Sequence, residues 1–146
     1  MDANDDPRDG PRSLIKRLLR ATNEHDIESL VACFASDYRN ETPAHPARGF
    51  VGRDQVRRNW EQIFALVPDV AVELVGSAVD GDTVWSEWEH SGTRTDGSRH
   101  HMRGVLIFGV ANGLAEWARF FLEPVDDGGV NVDVAVARQV SAAGAP

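Results

Sequence analysis

The sequence has one cysteine, one lysine and no apolar run of membrane-spanning length, and each shortage removes a class of protein. With Cys33 alone, no intramolecular disulfide or cysteine-based metal cluster is available, and its apolar helical surroundings mark it as a packing residue rather than a nucleophile. Lys16 is the single candidate for Schiff-base chemistry, and it falls on a surface helix. Positive charge is also short: 15 Lys and Arg against 23 Asp and Glu give a net charge of −8, which argues against a nucleic-acid partner. The first twelve residues lack the basic start and apolar stretch of a signal peptide, so the expected location is the cytoplasm, with no membrane contact.

What is present is a rhythm. Asp80-Gly81, Asp96-Gly97 and Asn112-Gly113 recur every sixteen residues between β-branched and aromatic runs. Such pairs suit type I′ hairpins, whose central residues need φ > 0, so the spacing predicts a four-stranded antiparallel meander. About fourteen residues per strand would reach roughly 45 Å if flat, against a diameter of about 38 Å for a globule of this length. The sheet must bend, and Gly92, Gly104 and Gly109 mark expected bends or bulges.

The first half supplies helices for the concave side. A first helix is expected from Pro11 to Thr22, with Leu14, Ile15, Leu18 and Leu19 at helical spacing. Asp26 can cap a second, carrying Ile27, Leu30, Val31 and Phe34. A third follows Gly52, with Val56, Trp60, Ile63, Phe64 and Val67 on one side. Asp37 to Glu41 reads as a short strand between the second and third helices. The fold class is therefore α+β, three N-terminal helices packed in the concave face of a strongly bent, mainly antiparallel sheet. The chain divides into a flexible segment over residues 1–10, one domain over 11–124 and a tail over 125–146. The tail alternates Val130, Val132, Val134 and Val136 as a strand would, although residues 135–143 also suit a helix; it either packs on a partner subunit or frays.

The helix order, Val67-Pro68-Asp69, Gly81-Asp82-Thr83-Val84, Ser91-Gly92-Thr93 and Ala115-Glu116-Trp117 resemble the nuclear transport factor 2-like superfamily, in particular its SnoaL-like polyketide cyclase branch, over about residues 12–124. The resemblance implies a cystatin-like cone with an internal hydrophobic pocket, often a homodimer, and a range of isomerases, cyclases, hydrolases and non-catalytic binding modules. Tyr38-Arg39-Asn40 followed by Gly52-Arg53-Asp54 is similar to the stretch in limonene-epoxide hydrolases where a Tyr and an Asn hold the attacking water. Trp88 and His90 stand where those hydrolases carry an Arg and an Asp, and Arg119 stands where they carry a second Asp. The acidic residue of SnoaL-like cyclases falls at Phe121, and Glu41 is the one stand-in for the base of ketosteroid isomerases.

The same alignment implies a pocket holding Trp88, His90, Trp117, Arg119 and Phe121, with Tyr38 and Asn40 arriving from the short strand. Glu41 and Arg103 complete the candidate substrate contacts. His90 can move a proton near neutral pH, Arg119 can polarise a carbonyl or hold an enolate, and Tyr38 with Asn40 can orient a substrate oxygen or water. His100 and His101 follow a turn and read as an exposed hairpin end; as neighbours on a strand they point to opposite faces and make a poor metal pair, so no metal and no cofactor is expected. Arg119 equally suits an ion pair with Glu87, Glu89 or Glu123. Two functions follow. One is a cofactor-free acid-base isomerase, cyclase, dehydratase or epoxide-opening enzyme acting on a small hydrophobic oxygenated molecule. The other is a binding or dimerisation module without catalysis.

Overall fold

The computed structural model describes residues 10–142. The expected flexible start lies, up to residue 9, outside the described residues, as does the tail beyond 142. Helix α1 spans Gly10–Asn23 and buries Leu14, Ile15 and Leu18. Helix α2 spans Ile27–Val31, its first turn capped by the Asp26 carboxylate accepting from the Ser29 amide. Strand β1 covers Phe34–Glu41, then come a 3-10 turn at Pro46–Arg48, the two-residue strand β2 at Phe50–Val51 and helix α3 at Arg53–Leu66. Strands β3 (Ala71–Asp80), β4 (Thr83–Thr93), β5 (Arg99–Ala111) and β6 (Leu114–Pro124) form the meander, and helix α4 (Val132–Val140) ends the described chain. No helix among the described residues is long and apolar enough to cross a membrane.

One six-stranded sheet runs in the order β2-β1-β6-β5-β4-β3, antiparallel except where β1 lies parallel to β6. Helix α1 packs on β3, β4 and β5, and α3 packs on β1, so the helices collect on one face. That face carries Val72, Val84, Trp88, Leu106, Phe108, Val110, Ala115 and Ala118 into the core. Asn23 closes part of the β3 edge: its amide donates to the Val72 carbonyl at 2.9 Å and accepts from the Val72 amide at 2.8 Å, as a neighbouring strand would.

Three expectations need correction. Phe34 leaves the helix and starts β1, because α2 stops at Val31 and Phe34 packs edge-to-face on Tyr38 at 4.7 Å. Only the third hairpin has both loop residues at φ > 0, Asn112 at 52° and Gly113 at 74°. The first turns through Gly81 and Asp82 with Gly81 alone at positive φ, and the second is a longer loop with positive φ at Gly97.

The third correction decides the site. Ala115 pairs with Val110 and Trp117 with Gly109, so Glu116 is an extra residue in β6. The bulge puts Ala115 and Ala118, three apart, on the same buried face. Trp117, Arg119 and Phe121, expected inside, therefore stand on the outer face. Gly109 is needed there, because a Cβ at that position would occupy the space of the Trp117 indole.

Candidate site on the inner face of the sheet

Along β4 the inner side chains are Val84, Ser86, Trp88 and His90, all buried. The Trp88 indole donates to Ser86 Oγ at 2.8 Å, and Ser86 donates in turn to the Leu106 carbonyl at 2.7 Å. This chain is satisfied within itself, so Trp88 and Ser86 serve packing, and the polar group left over is His90.

His90 is 7% exposed and pairs across the sheet with Met102 on one side and Val72 on the other. Trp60 of α3 approaches with ring centroids 6.0 Å apart, and Phe64 stands 5.4 Å from Trp60. Burial, assisted by the nearby His100, lowers the His90 pKa to about 4, and no hydrogen bond among the described residues counters that shift. At neutral pH the ring is uncharged, with one N–H donor and one acceptor nitrogen.

Tyr38 and Asn40 also point inward from β1. The Tyr38 hydroxyl donates to Asn40 Oδ1 at 2.8 Å, and burial pushes its pKa upward, so it remains a neutral phenol. The pair is not beside His90. Asn40 lies level with Ala118, Phe108 and Val84 across the sheet. His90 stands six residues further along β4, about 20 Å of strand path. The expected single constellation is thus divided between two levels of the bent sheet.

Other expected members face away. Arg119 lies over the Trp117 ring at 5.2 Å and reaches Glu41 at 3.5 Å, both on the outer face. Arg103 is held by Glu89 at 3.3 Å and Glu87 at 4.0 Å, again outside. Phe121 is 41% exposed beside Val105. Strand alternation is the cause: Arg103 and Val105 have the opposite parity to Leu106 and Phe108, and the Glu116 bulge reverses β6. Two residues were overlooked. Trp60 gave only a core signal on its helix. His100 shares the parity of Met102, Leu106 and Phe108 and so lies on the inner face, legible from alternation alone.

Elsewhere, a shallow groove of about 430 Å³ runs along α4 between Asp133, Val134, Ala137, Arg138 and Ser141. It is lined by one helix and lies apart from the inner-face histidines. No group of three or more metal-ligating side chains occurs among the described residues.

A family model described as SnoaL-like domain matches residues 15–120. Similar solved structures include TsrD from Streptomyces laurentii, at 22% identity and TM-score 0.66, covering 90% of this chain and 95% of that one. A Mycobacterium tuberculosis LEH-like epoxide hydrolase is 16% identical with TM-score 0.67, covering 80% and 84%. RV0760c of M. tuberculosis, solved in complex with estradiol-17beta-hemisuccinate, is 18% identical with TM-score 0.66, covering 85% and 95%. At these identities the likeness establishes the fold. None of the curated proteins matches in sequence.

Proposed function

The chain belongs to the SnoaL-like domain family, and from that premise we propose that the space between α3 and the His90 end of the sheet binds a small, mainly apolar, oxygenated organic molecule. One observation carries this reading: His90 is 7% exposed beside Trp60 and Met102, and no hydrogen bond to its ring occurs among the described residues. The fully buried ring nitrogen without a partner among the described residues is His101 Nδ1, so the His90 imidazole keeps an accessible donor and acceptor, which a ligand covering them needs to satisfy. A ligand carbonyl accepting from the imidazole N–H, or a hydroxyl donating to the other nitrogen, meets that need while Trp60, Phe64 and Met102 cover apolar surface. The fold's accommodation of estradiol-17beta-hemisuccinate in an M. tuberculosis relative supports the ligand class.

The test is a thermal-shift series of cyclic ketones and alcohols of steroid, terpene and aromatic size. Ligands that raise Tm in the native chain lose their effect in His90→Ala. If no member of any class shifts Tm, the reading fails.

Catalysis is a second reading, favoured by the buried Tyr38–Asn40 pair, which leaves the Asn40 amide to orient an oxygen. Chemistry at His90 would be cofactor-free proton transfer, and His90→Ala would then lower turnover by roughly 10²- to 10⁴-fold. A histidine with pKa about 4 is a weak base at neutral pH, which places binding ahead of catalysis.

We also infer that the outer face, where Trp85 is 51% and Phe121 41% exposed among paired charges, joins a second copy of the chain. Trp85→Asp leaving the solution mass of a dimer unchanged would remove that face from the interface.

A further inference from the structure

Helix α4 finds no cover among the described residues. Its span, Val132–Val140, follows the segment 15–120 that the family model matches, and none of its residues is buried. Val132, Val136 and Val140 recur every four positions and so form one stripe, with Val132 72% and Val140 78% exposed. Helices shorter than about 12–15 residues are marginal in water unless an apolar face is covered. The Asn131 cap, Asp133 in the first turn and Arg138 in the last favour the ends of α4 but leave its valines in water.

The outer face of the sheet offers a surface of matching length. Trp85 of β4 pairs with Ile107, and two positions away on β5 Val105 pairs with Phe121 of β6. Trp85 and Phe121 are therefore two strands and two positions apart, about 12 Å along a diagonal that crosses β5 between Ile107 and Val105. Val132 and Val140, eight positions apart, are also about 12 Å apart along the helix axis. A helix laid on the diagonal sets its end valines on the two aromatics and Val136 over β5. Glu87 flanks that line on one side and Arg119 on the other.

Within one chain this contact is not made, because the stripe and both aromatics are exposed. Charge then bears on the partner. With a net charge of −8, two copies repel over most of their surfaces. On the diagonal Glu87 balances Arg119, and on α4 Asp133 balances Arg138, so two copies meet there with least repulsion. One direction of the helix puts Asp133 on the Arg119 side and the other puts it beside Glu87, which selects the first. Trp85 and Phe121 alone expose roughly 200 Å², far below the ~800 Å² per partner of a stable interface. A chain that supplies both a helix and a face exposes roughly 500 Å² with its three valines, and the stems of Arg119, Glu87 and Gln139 carry the area toward that requirement.

We propose that α4 of each chain lies across the outer sheet face of a second copy, its valine stripe along the line from Trp85 to Phe121, and that the exchange is reciprocal. This rests on the reading of the outer face as a self-association surface and names the element that covers it. Residues 125–131 extend up to about 24 Å, so α4 can leave the end of β6 for the partner. Two identical contacts then close the pair about a two-fold axis.

Sedimentation velocity of the full chain at micromolar concentration tests the assembly, against a mass of 16.0 kDa per copy. The native chain sediments as a dimer. Val136→Asp weakens dimerisation about 100-fold, since each of the two contacts loses about tenfold on burying an unpaired charge. Val134→Asp, on the opposite side of α4, leaves the dimer intact. Neither valine is buried in its own chain, so both variants fold. Position is read by mixing chains carrying Val136→Cys with chains carrying Val105→Cys, Cys33 being buried and out of exchange: a disulfide forms between the two kinds of chain. A monomeric native chain overturns the outer-face reading and the proposal together. A dimer abolished by Trp85→Asp and unchanged by Val136→Asp keeps the outer-face reading and overturns the exchange of α4. A disulfide that forms only inside a chain carrying both substitutions puts α4 on its own sheet and overturns the exchange as well.

Discussion

The Tyr38 hydroxyl donates a 2.8 Å hydrogen bond to Asn40 Oδ1, and both side chains are almost wholly buried on the inner face of β1. The bond fixes the Asn40 amide with its nitrogen turned toward Thr42 Oγ1 at 3.5 Å, a long contact that leaves donor capacity. Tyr38→Phe removes the phenol and strands the buried Asn40 oxygen, at a cost of about 1–3 kcal/mol. Denaturant unfolding should show that loss at unchanged m-value, and a change within error would mean that water takes the phenol's place.

Arg119 separates the two possible faces of β6. On the outer face, in an exposed pair with Glu41, it contributes at most about 1 kcal/mol. Arg119→Ala should shift Tm by no more than about 4 °C and leave every ligand response intact. Loss of ligand response would return Arg119 to the pocket wall.

Ser86 bridges Trp88 to the Leu106 carbonyl, and its hydroxyl is the indole's acceptor. Ser86→Ala leaves a buried N–H unpaired and should cost about 1–3 kcal/mol. Ser86→Thr keeps the hydroxyl and tests whether the extra methyl fits, so the two variants distinguish lost hydrogen bonding from crowding.

His90 makes folding stability depend on pH. Its folded pKa of about 4 lies below its ordinary value of about 6.5, so the unfolded chain binds its proton first as pH falls. The stability present above pH 6.5 is therefore lost progressively down to about pH 4, by an amount on the order of 2–3 kcal/mol. Denaturation at pH 7 and pH 5 should show a fall in the native chain that is smaller in His90→Phe. Equal falls would place a solvated ring at this position.

Gly109→Ala tests the outer-face packing. The new methyl would collide with the Trp117 indole, and the rearrangement should cost about 1–3 kcal/mol. Gly109→Ala combined with Trp117→Leu should recover part of it; no recovery would mean that the strand backbone, not the indole, limits the site.

The architecture was legible because the three turn dipeptides punctuate long β-forming runs at equal intervals, and alternation along β4 then placed Trp88 and His90 on one face. What alternation cannot show is an inserted residue. Glu116 adds one to β6 without any Gly or Pro at that point to mark it, and a single-residue slip sends Trp117, Arg119 and Phe121 to the opposite face. Phe34 continued a helical apolar period, but Ala32 and Cys33 turn the chain and burial beside Tyr38 prevails over local pattern. In the tail the valines fit period two, yet Asn131 caps a helix by accepting from the Val134 amide, and α4 results with Val132, Val136 and Val140 exposed. His100 was legible from parity. What hid it was the adjoining turn, which suggests exposure, whereas only its neighbour His101 faces outward.

The state of the His90 ring decides whether this end of the sheet is a ligand site. A long-range proton–nitrogen NMR spectrum of the histidines at pH 7, recorded with and without an apolar ketone that raises Tm, reads His90 itself. The expected spectrum is that of a neutral His90 with one protonated nitrogen whose signals move on ligand addition while those of His101 stay. A His90 that titrates near pH 6.5, or that is unmoved while resonances of α4 or the outer face shift, would contradict it.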